Sequence, residues 1–421
     1  GIPTRRLNDG SLVQLGWGAK QKRIWTAETD DTPTVAEVIA QDKQLTRQLL
    51  AALGVAAPWG RPVRDADDAW AVAQQCVPPV VVKPRFGNQG RGVATNLMTR
   101  EQVVAAFAAA RREGEVVVET FAPGRDFRIL VVGGKVVAAS QRDPAQVVGD
   151  GTSTIRDLIA VANRDPRRSD GHSTSLSFIK IDAVAEAVLA EQGFAADSVP
   201  AEGVRVLIRR NANLSTGGTA TDVTDRVHPE VAADAIAAAM AVGLDVAGID
   251  VVCEDISQPL GPQRGAIVEV NAGPGLRMHL EPSAGPPRDV GAAIVDALFP
   301  AGETGRVPVV AVVGTGVREV AERLARGGRF VGTASSEGIW LGSRHTDSRP
   351  AANVDSVQSV LLHPRVEAVA FEVTEAGFRS EGLAVDRCDL VLAPKDHPVA
   401  EALGRLGFPV ATEIEAVERV L

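Results

Sequence analysis

Two short stretches of this chain hold the residue types that phosphoryl chemistry needs. In "GAIVEVN" (265–271), Glu269 and Asn271 stand two positions apart on an apolar, strand-like run, so their side chains leave the same face. Asp250 lies in the preceding run "GIDVVCE" (248–254), which a hairpin-like return would set alongside. Two carboxylates and an amide oxygen form a hard oxygen set suited to Mg2+, whose remaining positions water and nucleotide phosphates usually fill. For any one of these residues a solvated sheet face is an equal reading. The full spacing, followed by "NAGPG", favours the metal set.

The second stretch is "VVVKPRFGNQGRGV" (80–93). A strand delivers Lys83, and a loop with Gly87, Gly90 and Gly92 leads into another strand rather than a helix. That pattern suits a glycine-rich flap whose backbone amides fold over phosphates, with Lys83 and Arg91 neutralising charge. A plain glycine-rich hairpin turn is as common. The order along the chain adds weight: Lys43 on a helix, Lys83 and its loop, a strand ending at Glu119, and then the carboxylates.

A third segment looks suited to nucleotide and is not. "VPVVAVVGTGVREVAERLA" (307–325) reads as strand, turn and helix, but after Gly314 and Gly316 it lacks the Lys and Ser/Thr with which a P-loop grips phosphate and magnesium. His345 and Glu372, further on, read as ordinary surface or layer residues.

The elements that must position these groups follow from periodicity. Residues 34–55 and 229–243 have helical spacing, and another helix is expected near 180–192. Short strands are expected at 80–84, 92–95, 115–120 and 204–210, with a hairpin over 127–140 turning at Gly133-Gly134. Near 300–308 the pattern restarts, a plausible boundary, and strands then alternate with helices as in a small α/β layer. A chain of 421 residues calls for two or three domains, and 45% hydrophobic with 23% charged residues is a globular balance. The formal charge of −9 argues against a general nucleic-acid binder. Cys76, Cys253 and Cys388 form no metal-type pair and suit a reducing cytoplasm; no apolar run is long enough for a membrane span. Tyrosine is absent, so carboxylates, Lys, Arg or His must carry any chemistry.

On these residues the chain resembles the ATP-grasp ligases, and "LNDGSLVQLGWGAKQKRIW", "RRNANLSTGGTATDVTD" and "EVNAGPGLRMHLEPSAG" make it similar to the cyanophycin synthetases over nearly all its length. The resemblance implies an ATP-grasp domain over 1–305, its flap region near 80–140. A degenerate Mur ligase-like α/β domain without a P-loop would follow over 306–421, for an overall class of α/β and α+β. It implies that Lys43 and Lys83 contact ATP phosphates, that Glu119 and its neighbours line the adenine hinge, and that Asp126 holds the ribose. Asp250, Glu269 and Asn271 would bind two Mg2+ ions. Arg128 and Ser215 would hold the acceptor carboxylate or its phosphorylated form, although the residues alone equally allow a strand surface charge and a polar turn.

The implied activity is ATP-dependent joining of a carboxylate to an amine through an acyl phosphate, with Lys83, Arg128 and Ser215 at the reacting groups and no nucleophilic side chain needed. The acceptor would be cyanophycin or a similar Asp/Arg peptide. With only one intact half, the amine would be a preformed β-Asp-Arg dipeptide, and a homo-oligomer without nucleic-acid or membrane partners is expected. The alternatives are another amino acid added to a different small peptide, or a non-catalytic polymer or partner binder. Two departures stand out. Gln89 replaces a histidine that is a candidate base for the amine, and the chain begins where the synthetases' central region begins, without their N-terminal domain.

Overall fold

The computed structural model describes residues 1–86, 92–170 and 174–420. They group into two compact units, Thr26–Ala297 and a second one made of Gly1–Trp25 together with Leu298–Leu421.

Thr26–Ala297 opens with two helices where the spacing suggests one. Helix α1 (Thr34–Gln41) stops at Asp42, whose carboxylate caps α2 (Lys43–Ala52) by accepting from the Gln44 and Leu45 amides. A cap side chain that offers the backbone an alternative partner restarts the helix and leaves Lys43 as its first residue.

A four-stranded antiparallel sheet follows, built from β1 (Gly60–Val63), β2 (Val80–Pro84), β3 (Ala94–Leu97) and β4 (Val116–Thr120) in the order β1-β4-β2-β3. Helices α3 (Ala66–Cys76) and α4 (Arg100–Ala110) cover one face. Val80, Val82, Val116 and Val118 bury themselves against them. Strand alternation therefore sends Lys83 and Glu119 to the opposite face.

The central sheet has five antiparallel strands: β5 (Arg125–Val132), β6 (Lys135–Asp143), β7 (Thr219–Asp222), β8 (Val246–Cys253) and β9 (Ala266–Asn271), ordered β7-β6-β5-β8-β9. Gly133 and Gly134, both at positive φ, make the β5–β6 turn. Phe127, Ile129, Val131, Ala139, Ile249, Val251 and Val270 form a core with helix α5 (Pro229–Val242) on one face, which leaves the other for polar residues. Between β6 and β7, strands Gln146–Val148 and Arg205–Leu207 pair and enclose helices Ile155–Ala162 and Ala183–Glu191 around a small core of Ile155, Leu189 and Ile208.

The second unit is a seven-stranded sheet. Ala368–Val373 lies at its centre, parallel to Val331–Ser335 on one side and on the other to Val309–Val313, which in turn pairs in parallel with Leu390–Leu392. The turn after it, Gly314 to Gly316, enters helix Val317–Leu324 without a side-chain cap. Glu372 accepts the Ser336 amide at 2.6 Å, and His345 stacks on Trp340 with centroids 4.2 Å apart. The first 25 residues belong here: Trp17 is buried in the core with Val307, Val309 and Phe371, and its amide donates to Gly305 O at 2.7 Å. A single cut at residue 305 therefore does not divide the chain. Among the described residues no helix is long and apolar enough to cross a membrane.

Candidate active site

The polar face of the five-stranded sheet carries one continuous cross-strand row. In register, Asp222 of β7 faces Ser140 of β6, Ser140 faces Arg128 of β5, Arg128 faces Asp250 of β8, and Asp250 faces Glu269 of β9. Directly paired residues share a face, so five polar side chains are aligned across the sheet. Asp250 and Glu269 are neighbours as a hairpin return requires, and Asn271 pairs with Gly248 one step along, its amide donating to Gly248 O at 3.3 Å.

Asp250 is the buried anchor of the row. Arg128 grips it through Nε and, at 3.1 Å, through Nη2; Arg142 Nη2 approaches the same carboxylate at 3.2 Å. Burial opposes ionisation of Asp250, but the two guanidinium groups outweigh it and hold the carboxyl below its usual range. At the row's far end Asp222 takes Arg288 at 2.7 Å. Over Ser140 lies His279, on the short helix α6 (Arg277–Leu280), with Nδ1 3.1 Å from Ser140 Oγ.

A cleft opens among α2, β2, β4 and β9, lined by Lys43, Arg47, Lys83, Glu119 and Glu269 among others. Lys83 Nζ lies 2.5 Å from Glu119, and Arg47 reaches the other oxygen of that carboxylate at 3.4 Å. Lys43 Nζ is 3.3 Å from Glu269. Three cations against two carboxylates leave the cleft with a positive balance, which fits a polyphosphate.

The donor set next to it also fits magnesium. Among the described residues no group of three or more His, Cys, Asp or Glu side chains could hold a metal alone. Asp250, Glu269 and Asn271 supply few protein ligands, and Mg2+ is commonly held that way, through one or two carboxylates with water and phosphate oxygens completing the octahedron.

The remaining expected residues are spread more widely. Asp126 is on β5, half exposed and 3.9 Å from Arg142. Ser215 is exposed on the turn Leu214–Thr216, outside the row. Gly92 has φ +66°, and a Cβ there would meet Pro84 Cγ at 3.0 Å, so this end of the loop requires glycine. Gly87, Gln89, Gly90 and Arg91 lie outside the described residues. Arg47 lines the cleft, and Ser140, Arg142 and His279 lie on or over the polar row; sequence reasoning singled out none of them. Arg47 had a signal: it is four residues beyond Lys43, on the same helix face.

Residues 40–150 match the family of RimK-like ATP-grasp domains. The chain is 40% identical over 397 residues to the cyanophycin synthetase of Trichormus variabilis, an alignment covering 93% of this chain and 44% of that protein. It is 32% identical over 294 residues to the glutathione biosynthesis bifunctional protein GshAB of Clostridium perfringens, covering 69% and 38%. The solved bifunctional glutathione synthetase from Pasteurella multocida superposes with a TM-score of 0.55 at 31% identity, over 71% of this chain and 41% of that one. The chain thus spans less than half the length of these curated relatives. It is a homologue of the cyanophycin synthetases over most of its own length, and it carries an ATP-grasp fold.

Proposed function

We propose that the chain is an ATP-dependent carboxylate–amine ligase that extends a cyanophycin-like peptide by one β-Asp-Arg dipeptide per turnover. The observation that supports this reading is the pairing of the Lys43/Lys83 cleft with the in-register Asp250–Glu269 couple, an arrangement that would set cations for phosphate beside carboxylates for a metal. Magnesium–ATP would supply the phosphoryl group that turns the acceptor carboxylate into an acyl phosphate; the amine nitrogen then bonds to the carbonyl carbon as phosphate leaves and its proton passes to solvent or a base. Lys43 and Lys83 neutralise the polyphosphate, Asp250, Glu269 and Asn271 hold the metal, and Arg128 faces the carboxylate being activated. Such catalysis is positioning and charge neutralisation. Asp126 as a ribose ligand, Glu119 in the adenine hinge and Ser215 at the acceptor belong to the same reading.

The amine follows from the second unit. We read residues 306–421 as a Mur ligase-like layer that lacks nucleotide-gripping side chains after Gly316, so only one bond-forming site remains. A preformed β-Asp-Arg unit already contains the isopeptide bond that a second site would have to make. The test is to supply primer, Mg2+ and ATP with either the dipeptide or free Asp plus Arg, and to follow ADP and product mass. Growth in dipeptide steps is expected; efficient uptake of free Arg would refute the assignment. The 32% identity to a glutathione-synthesising protein favours one alternative, ligation of another amino acid to a different small peptide, which activity with neither amine would support.

A further inference from the structure

Two buried nitrogens beside Arg128 have no hydrogen-bond partner among the described residues. They are Arg142 Nε and His279 Nε2, on side chains whose residues are 8% and 1% exposed. Buried polar atoms left unpaired are costly, so native structures rarely keep them without a ligand, an ion or water to take the bond. Both belong to the same small region. Arg142 stands two residues beyond Ser140 on β6 and so shares the reacting face with Arg128; His279 is joined to Ser140, which is Arg128's cross-strand partner.

The charges there do not balance. Arg128 and Arg142 share the single buried carboxylate of Asp250. Asp222 is taken up by Arg288, and Asp126, half exposed at 3.9 Å, is screened by solvent. His279 stays neutral: burial first, and then the positive charge of Arg128 and Arg142, push its pKa down to about 3. Ser140 Oγ lies 3.1 Å from His279 Nδ1 and 3.4 Å from Met278 O; in the tautomer in which the hydroxyl proton goes to Nδ1, the imidazole carries its own on Nε2 and presents a neutral donor next to two guanidinium groups.

We propose that Arg142 and His279 form an oxyanion receptor beside Arg128 that takes a carboxylate of the acceptor substrate and aims it at the activation site. This rests on the ligase reading above and adds the residues that select and orient the acceptor. The same donors could also serve a nucleotide phosphate, which kinetics separates. With the full-length chain, ADP release is measured while primer and ATP are varied in turn, for wild type, Arg142→Met, Arg142→Lys, His279→Leu and His279→Gln, each checked for native melting. Loss of a hydrogen bond to a charged group corresponds to roughly a tenfold or larger change, so Arg142→Met and His279→Leu are expected to raise the primer KM about tenfold while the ATP KM stays within about twofold. Arg142→Lys and His279→Gln, which keep a donor, recover part of the loss. An unchanged primer KM, or a rise in the ATP KM instead, overturns the proposal. If wild type turns over no primer, the ligase reading fails but the receptor remains testable: inorganic phosphate is titrated calorimetrically with a nonhydrolysable ATP analogue filling the cleft. Phosphate binding that Arg142→Met and His279→Leu abolish supports the receptor; no binding to wild type, or equal binding to all variants, overturns it.

Discussion

A carboxylate buried against two guanidinium groups and an imidazole held neutral in their field respond to acid in different ways. Asp250 keeps its charge because its partners outweigh burial. His279 is the opposite case, with a folded pKa of about 3 against an ordinary 6.5. Between those values the unfolded chain binds a proton that the folded chain refuses, so this contribution to stability is complete above pH 6.5 and is lost as pH falls toward 3. One such group contributes a slope of at most about 1.4 kcal/mol per pH unit. His279→Gln cannot titrate there, and its acid limb in chemical denaturation is expected to be shallower than that of wild type over this window; parallel limbs would show that His279 is protonated in the folded chain. Residue chemistry of this kind was only partly legible. That Asp250 and Glu269 would lie side by side could be read from residue type and spacing, whereas the burial that makes His279 neutral depends on contacts with β6 that lie 139 residues away.

At the scale of elements, one irregularity decides which residues reach the site. Counting back from the Gly133-Gly134 turn without interruption would set Arg128 opposite Ala139. The ladder shifts between Val136 and Ala138, and that single extra residue sets Arg128 opposite Ser140 and Asp126 opposite Arg142. A one-residue slip exchanges the two faces of a strand, so the bulge is what puts Ser140 and Arg142 on the polar face and Ala139 in the core. Nothing in "VVAASQRD" marks it, since Val137 differs little from its neighbours. Deleting Val137 is expected to turn Arg142 toward the apolar core and to lower stability by several kcal/mol, of order 3–5, as for a buried charge that has lost its partner. Equilibrium denaturation measures this, and a variant as stable as wild type would mean the ladder re-forms its bulge elsewhere. The Asp42 cap acts at the same scale: the 34–55 periodicity was legible, but the break that places Lys43 at a helix start depends on a local side-chain bond. The alternation that sends Lys83 and Glu119 to the cleft needed only the strand pattern.

For the molecule as a whole, the proposed number of nucleotide sites turns on where cations gather. Lys43, Arg47 and Lys83 line one cleft of Thr26–Ala297, whereas the Gly314–Gly316 turn of the other unit is followed by Val317 and Arg318. Calorimetry on the full chain is expected to give one ATP per chain, and Lys83→Ala to weaken that single site by roughly a hundredfold, on the scale of one lost charge-assisted contact to phosphate. A second binding step that survives Lys83→Ala would restore nucleotide binding to the second unit. The full chain is the right material because residues 307–421 alone would lack Trp17 and leave a hole in their core. Here the sequence was least legible: a boundary near 305 is visible in the Pro/Gly-rich run, but the attachment of the first 25 residues is written in contacts across some three hundred positions, such as the Trp17 amide on Gly305.

That discontinuity sets a schedule for synthesis. Residues 1–25 leave the ribosome before the rest of their own unit, because the core that receives Trp17 is encoded after Leu298. At about 5–20 residues per second, the intervening segment takes roughly 15–60 s to translate. Throughout that interval the nascent chain carries an indole without its core, on short strands (Thr4–Arg6, Leu12–Leu15 and Lys22–Trp25) that pair with one another, while Thr26–Ala297, which is contiguous, can fold behind them. The core around Trp17 therefore cannot close until the strands after Leu298 have been made.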